Sequence, residues 1–331
     1  MDLHQILFLS QTRQNSLYTL CSRLGSCEHA EQSGGIMNTS NLKVVIAGLG
    51  SLAVFGLLAC SGATNNDGFS TETANVSSGI IGGTNVAAND PINKSTVALY
   101  DTESGALCTG SLIAKNIIIS AAHCVSSNPQ AMIVVFSTNI SKVLSTRSSF
   151  AEMIKSPKVR QVVKAVISKI YSSSRPDDAR DVGDISVIKF AGSAPSGYVP
   201  VQMLTDSSAL KNKATVTLAG YGITNGVLHI GAGVLRQTQL QIADAQFSAS
   251  EIELDQTKGH GACHGDSGGP AFINVGGKNL LWGITSRGEK DPKNDCTQYS
   301  VYTNALAYSK MIAQTIAFLN SKTTTELASA H

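Results

Sequence analysis

The sequence has no long run of lysine and arginine, and its 25 basic and 23 acidic residues leave a formal net charge of only +2. That argues against a nucleic-acid partner and against broad electrostatic attachment to a membrane. Neither an internal repeat nor a long low-complexity segment is present. The apolar run Val44–Ala59 has 16 residues, short for a membrane-spanning helix. Charged residues are few, at 15% against 42% hydrophobic, a balance too apolar for disorder. The 331 residues suffice for one large all-β domain or two smaller lobes.

Cysteine is also scarce. The seven are Cys21, Cys27, Cys60, Cys108, Cys124, Cys263 and Cys296. An odd count in an exported chain calls for an explanation. Lys43, the apolar run and the ending Leu57-Leu58-Ala59-Cys60 together read as an export signal. The ending resembles the bacterial lipobox, in which the cysteine is lipidated; an ordinary cleaved signal peptide is the other reading. Such a signal begins close to the start of translation, and Met37 is the better start. Gly34-Gly35 would be encoded by GGN-GGN, the pattern of a ribosome-binding site. Residues 1–36 are therefore expected to be a misassigned or unstructured leader, 37–60 the signal peptide, and 61–79, rich in Ser, Thr, Asn and Gly, a flexible linker or propeptide. Residues 80–331 remain as the folded domain.

From Ile80 on, short β-rich runs alternate with turn signals: Thr96–Tyr100, Ser111–Ile113, Ile117–Ser120, Met132–Phe136, Ile185–Phe190, Ala214–Ala219 and Leu280–Thr285. This pattern predicts a barrel or sandwich. Only the end reads as helix, with Ala305, Tyr308, Ile312, Ile316 and Leu319 forming one apolar stripe.

Three short strings carry chemistry. In Gly265-Asp266-Ser267-Gly268-Gly269-Pro270 the glycines permit a tight turn, whose N–H groups can hold a developing oxyanion. A serine in such a turn is a poor nucleophile until a base takes its proton. Ser120-Ala121-Ala122-His123-Cys124 supplies a candidate base. Cys108 lies sixteen positions before Cys124 across a strand–turn–strand reading, and a disulfide there would brace the loop presenting His123. Asp184 heads the apolar strand Ile185-Ser186-Val187-Ile188, although Asp177, Asp178 and Asp181 could equally serve as strand-start acids. Each string alone is as easily a plain turn, a core histidine or a surface acid.

Together they resemble the chymotrypsin/trypsin family of serine proteases, in the family's chain order His123, Asp184, Ser267. The resemblance runs from Ile80 to about Asn320. Ile80-Ile81-Gly82-Gly83 is similar to the family's processed N-terminus, Ser286 to the serine beside the triad aspartate, and Val301-Tyr302-Thr303 with the following helix to its C-terminal segment. It implies two six-stranded antiparallel Greek-key β-barrels with a C-terminal α-helix. It implies a serine endopeptidase acting on protein or peptide substrates as a monomer, without metal or cofactor. The catalytic residues would be His123, Asp184 and Ser267. The N–H groups of Gly265 and Ser267 would form the oxyanion hole. A second disulfide would join Cys263 to Cys296. Activation would free the Ile80 amine to pair with Asp266. The alternative is a catalytically inactive protease-like binding protein.

The resemblance also locates the primary specificity pocket, with Gly261 at its base and Gly288 and Ser300 on its walls. None is acidic, so apolar side chains are expected rather than Arg or Lys. Glu289 or Asp295 could reach the rim from a long loop, and His264 borders the site. Arg287 stands where the family usually has Trp, and is read either as favouring acidic substrate residues or as an unpartnered surface arginine. Gly79, not Arg or Lys, precedes Ile80, so the activating protease is not trypsin-like. No cysteine pair lies between Tyr221 and Gly261, so a common third disulfide is missing and the loop before Cys263 is less restrained.

Overall fold

Runs rich in isoleucine and valine become strands because β-branched side chains pack well on a pleated surface. The computed structural model describes residues 80–321 apart from positions 148, 175 and 177. The expected leader, signal peptide and linker, with Cys21, Cys27 and Cys60, lie outside the described residues.

After a two-residue strand β1 (Thr84–Asn85), six strands make the first barrel: β2 (Thr96–Asp101), β3 (Leu107–Ala114), β4 (Ile117–Ser120), β5 (Met132–Val135), β6 (Val159–Ile167) and β7 (Ser186–Phe190). They close in the order β2-β3-β4-β7-β6-β5. Every pairing is antiparallel. The second barrel comprises β8 (Thr215–Gly220), β9 (Arg236–Asp244), β10 (Glu251–Asp255), β11 (Pro270–Val275), β12 (Lys278–Glu289) and β13 (Tyr299–Asn304). Its order is β9-β10-β13-β12-β11-β8, closed by β8 on β9, with β1 added alongside β9. The expected pair of six-stranded antiparallel barrels is thus the observed architecture.

Ile117, Ile118 and Ile119 of β4 are all fully buried, so this strand is covered on both faces. The first barrel's core continues into Ala219, Tyr221, Phe272 and Ile284 of the second, which makes the seam between barrels apolar. Trp282 and Tyr302 fill the second barrel beside Ile80. The chain ends in a short 3-10 turn and the helix Ser309–Asn320, whose buried residues are Ile312, Thr315 and Leu319. That helix returns to the first barrel, where Lys189 Nζ of β7 donates to the Leu319 carbonyl at 2.5 Å.

Candidate active site

Asp184 lies just before β7, where the chain leaves the loop and enters the buried strand. Its carboxylate accepts three hydrogen bonds: His123 N–H at 3.0 Å on Oδ1, and on Oδ2 His123 Nδ1 and Ser286 Oγ, each at 2.7 Å. Its main-chain carbonyl accepts from Thr303 Oγ1 at 2.9 Å. Asp184 is 3% exposed. Burial pushes its pKa up, but the hydrogen bond and charge of His123, aided by Ser286, outweigh that and hold it below the ordinary carboxylate value. Ser286 reaches Asp184 because β12 is bulged there. Thr285 pairs with Tyr302 and Arg287 with Val301, leaving Ser286 without a partner on β13. A bulge re-aims the side chain it carries.

His123 follows β4 and is tied at both ends. Cys124 is bonded to Cys108 of β3. With Nδ1 held by Asp184, Nε2 is the ring nitrogen left for chemistry.

The Ser267 turn joins β10 to β11 and crosses the seam. Thr109 of β3 donates through its N–H to the Ser267 carbonyl at 2.8 Å and through Oγ1 to the Gly265 carbonyl at 2.9 Å. Gly268, at φ +77°, is pressed onto the first barrel, where a Cβ would run into Ser120 Oγ and the Thr109 carbonyl. In this turn the N–H groups of Asp266, Gly268 and Gly269 are all engaged. Among the described residues, those of Gly265 and Ser267 donate to no protein acceptor. The turn therefore leaves two N–H donors free, that of Ser267 and that of Gly265 two residues before it. His123, Asp184 and Ser286 are linked directly. Ser267 lines a separate, adjoining cavity that shares Ser286 with theirs, and no hydrogen bond joins it to His123.

Two adjoining cavities flank this cluster. One of about 680 Å³ is lined by His123, Asp184, Tyr171, Arg287, Glu289 and Lys290. The other, about 190 Å³, includes Ser267, Cys263, His264, Gly288 and Ser300. The Cys263–Cys296 disulfide is formed at its side. Gly288 and Ser300, expected on the pocket walls, both line this cavity.

Gly261 does not line the smaller cavity. Its Cβ direction is filled by the carboxamide of Gln256, which does. Gln256 also restrains the loop before Cys263, bonding to Ala262 and Cys296. Of the acids expected at the rim, Glu289 lines only the larger cavity, and Asp295 lines neither and accepts from Thr297 Oγ1 at 2.5 Å. Asp291 is the acid that borders both cavities.

Arg287 is neither free for a substrate acid nor unpartnered. Its guanidinium donates to Glu251 at 2.8 and 3.1 Å and to the Ala179 carbonyl at 2.9 Å. Glu251 also accepts the N–H groups of Asp181 and Val182. A buried acid on β10 therefore ties β12 to the loop leading into Asp184. Thr303, Glu251 and Gln256 were not foreseen. Alternate acids in Glu251-Ile252-Glu253 were a signal that a strand face needed cationic partners.

Asp266 is 1% exposed, and its carboxylate accepts from Gly222 N–H at 2.8 Å and Cys263 N–H at 2.9 Å. Burial outweighs these bonds and the nearby charge of Arg236, raising its pKa to about 7. His264 is stacked on His229, ring centroids 5.3 Å apart.

Paired antiparallel barrels with a histidine–carboxylate couple at their seam are the architecture of the chymotrypsin-type serine proteases. Residues 80–312 match the family model described as Trypsin. The chain is 29% identical over 256 residues to chymotrypsin-like elastase family member 1 of Macaca fascicularis, covering 72% of this chain and 90% of that protein. It is 28% identical over 217 residues to a chymotrypsin of Phaedon cochleariae, covering 62% and 72%. To snake venom serine protease 2 of Protobothrops jerdonii it is 27% identical over 236 residues, covering 68% and 83%. The chain belongs to the trypsin family.

Proposed function

We infer that this chain is an exported serine endopeptidase working through an acyl-enzyme on Ser267. The observation that carries the reading is the Asp184 carboxylate, fixed by two groups of His123 and by Ser286, which also lines the cavity that holds Ser267. Ser267 Oγ attacks the peptide carbonyl carbon while His123 Nε2 takes its proton. The N–H groups of Gly265 and Ser267 receive the oxyanion, a contribution of about 10²–10³-fold for one such donor. His123 returns the proton to the amine as the C–N bond breaks. Water then attacks the acyl carbon by the same route, and Ser267 leaves with its proton restored. Asp184 stays ionised throughout, holding the proton on Nδ1. No metal or cofactor enters the scheme.

The enzyme is made latent and activated by cleavage before Ile80. Ile80 is 1% exposed and packs in the second barrel's core. Its neighbour Ile81 bridges Gly261, in the segment that runs into Asp266. Ile80 has φ +41°, a left-handed conformation costly for a β-branched residue. Cutting the bond removes the preceding carbonyl and with it that strain. It also supplies an ammonium for a buried carboxylate that lacks a bonded cation. A lipid on Cys60, if added, is separated by the same cut, so activation and release become one event. Two disulfides fit the oxidising compartment this requires. Specificity is non-tryptic, with no acid at Gly261, Gly288 or Ser300.

A fluorophosphonate probe tests the central claim. A chain beginning at Ile80 labels on Ser267, and the Ser267→Ala form does not. A folded, Ile80-initiated chain that fails to label is a protease-like binding protein instead. Terminal sequencing of the exported active form should read Ile80 first.

A further inference from the structure

We propose that Gln256, not the residue at position 261, determines primary specificity: its carboxamide forms the floor of the pocket beside Ser267 and restricts cleavage to uncharged side chains. The inference rests on the reading of Ser267 as nucleophile. Gln256 follows β10 and is 2% exposed. Oε1 accepts from Ala262 N–H at 2.7 Å, and Nε2 donates to the carbonyls of Ala262 at 3.2 Å and Cys296 at 3.0 Å. Turning the amide over would set its oxygen against two carbonyls and its NH₂ against an N–H, so the orientation is fixed by the network. The three bonds reach both strands of chain beside the Cys263–Cys296 disulfide. Both amide hydrogens are spent.

The floor therefore carries no charge and no free donor. A lysine or arginine side chain reaching the floor meets a carboxamide rather than a carboxylate, and an acid meets no free amide donor; both are disfavoured there. Asp291 stands on the wall shared with the larger cavity, not at the floor, and its Oδ2 is held by Cys296 N–H at 2.7 Å. Its charge further repels acidic side chains. The cavity, about 190 Å³, exceeds the roughly 150 Å³ that accommodates a benzene ring, so apolar side chains up to that size enter. Gln256 and any side chain at position 261 exclude each other, because a Cβ at Gly261 runs into the carboxamide. The family's usual way of placing an acid in this pocket is therefore blocked sterically, not merely unused.

The test is a panel of peptide amides differing only in the residue before the scissile bond: Ala, Leu, Phe, Lys or Asp. It uses the chain starting at Ile80. Leu or Phe is expected to exceed Lys and Asp at least 100-fold in kcat/KM. Gln256→Met keeps the bulk and the ranking. Gly261→Asp alone gives no gain for Lys, whereas Gly261→Asp with Gln256→Gly raises Lys relative to Leu at least tenfold. The proposal is overturned by Lys within tenfold of Leu in the unmodified enzyme, by a tryptic Gly261→Asp single variant, or by variants that lower all five substrates equally. If the variants do not fold, the unmodified panel still decides. Fluorophosphonate labelling separates the two readings. An unlabelled enzyme refutes the nucleophile, and a labelled enzyme with the wrong ranking refutes Gln256.

Discussion

Arg287 and Glu251 form a two-point ion pair, at 2.8 and 3.1 Å, in which the carboxylate side chain is fully buried. Glu251 is held by loop amides as well, so removing it strips four donors of their acceptor at once. Breaking a buried pair from one side typically costs about 3–5 kcal/mol. Glu251→Ala and Arg287→Ala, each in a Ser267→Ala background, should both lower the melting temperature by roughly 6–20 °C. The double variant should be less unstable than the sum of the two. Strict additivity in thermal unfolding would mean that the pair contributes nothing jointly.

Ser286 donates to the same Asp184 oxygen that receives His123 Nδ1. A hydrogen bond to a charged group contributes about 1.5–3 kcal/mol. Ser286→Ala should leave fluorophosphonate labelling detectable but slow turnover by roughly ten- to a hundred-fold. Because Ser286 helps hold the Asp184 pKa down, its loss should raise that pKa. A pH–rate profile identical to the parent's, at an unchanged rate, would remove Ser286 from the catalytic network.

What the sequence revealed depended on how local each requirement is. Ser267 and His123 sit in short strings whose neighbours are constrained by turn geometry and by a cysteine. Strands such as β4 are continuous apolar runs because they are buried on both faces. β9 reads as Arg236-Gln237-Thr238-Gln239-Leu240-Gln241, with one face open, and carries little apolar signal. β6 likewise buries only Val159 and Val162. The packing of Gln256 against Gly261 and Cys296 was not legible because it draws in Cys296, distant in the chain. Gln256 meets Cys296 across 40 positions, and no linear pattern marks that contact. The Glu251–Arg287 pair spans 36 positions, and the alternate acids of β10 signal a need for cations without naming Arg287.

Cys108 and Cys124 close a loop of sixteen positions whose end carries His123. A loop of about 15 residues is worth about 3 kcal/mol in the chain-entropy account. Replacing both cysteines with alanine should lower unfolding free energy by about that amount and reduce kcat more than it raises KM, since the base loses its brace. Chemical denaturation paired with steady-state kinetics measures both. A stable variant with full kcat would make the crosslink dispensable for the site.

Under the proposed activation, Asp266 should make the uncut and cut forms lose stability in different pH ranges. In the continuous chain its pKa is raised to about 7 by burial, against 3.8 unfolded. The folded state then binds more protons than the unfolded state between those values. Stability must therefore fall as pH rises from about 4 to 7, and it flattens above. Three units at about 1.4 kcal/mol each put the loss on the order of 4 kcal/mol. Once Ile80 carries a free ammonium, the pair lowers the carboxyl pKa and raises that of the amine above its ordinary value near 8. The stabilising contribution is then present below pH 8 and is lost as pH climbs through the raised amine value. Urea unfolding of Ser267→Ala chains, uncut and starting at Ile80, should show the uncut form weakening between pH 4 and 7 and the cut form holding near neutrality and weakening in alkali. Adding Asp266→Asn should erase the slope of the uncut form. Parallel pH curves for the uncut and cut forms would mean that Ile80 and Asp266 do not pair.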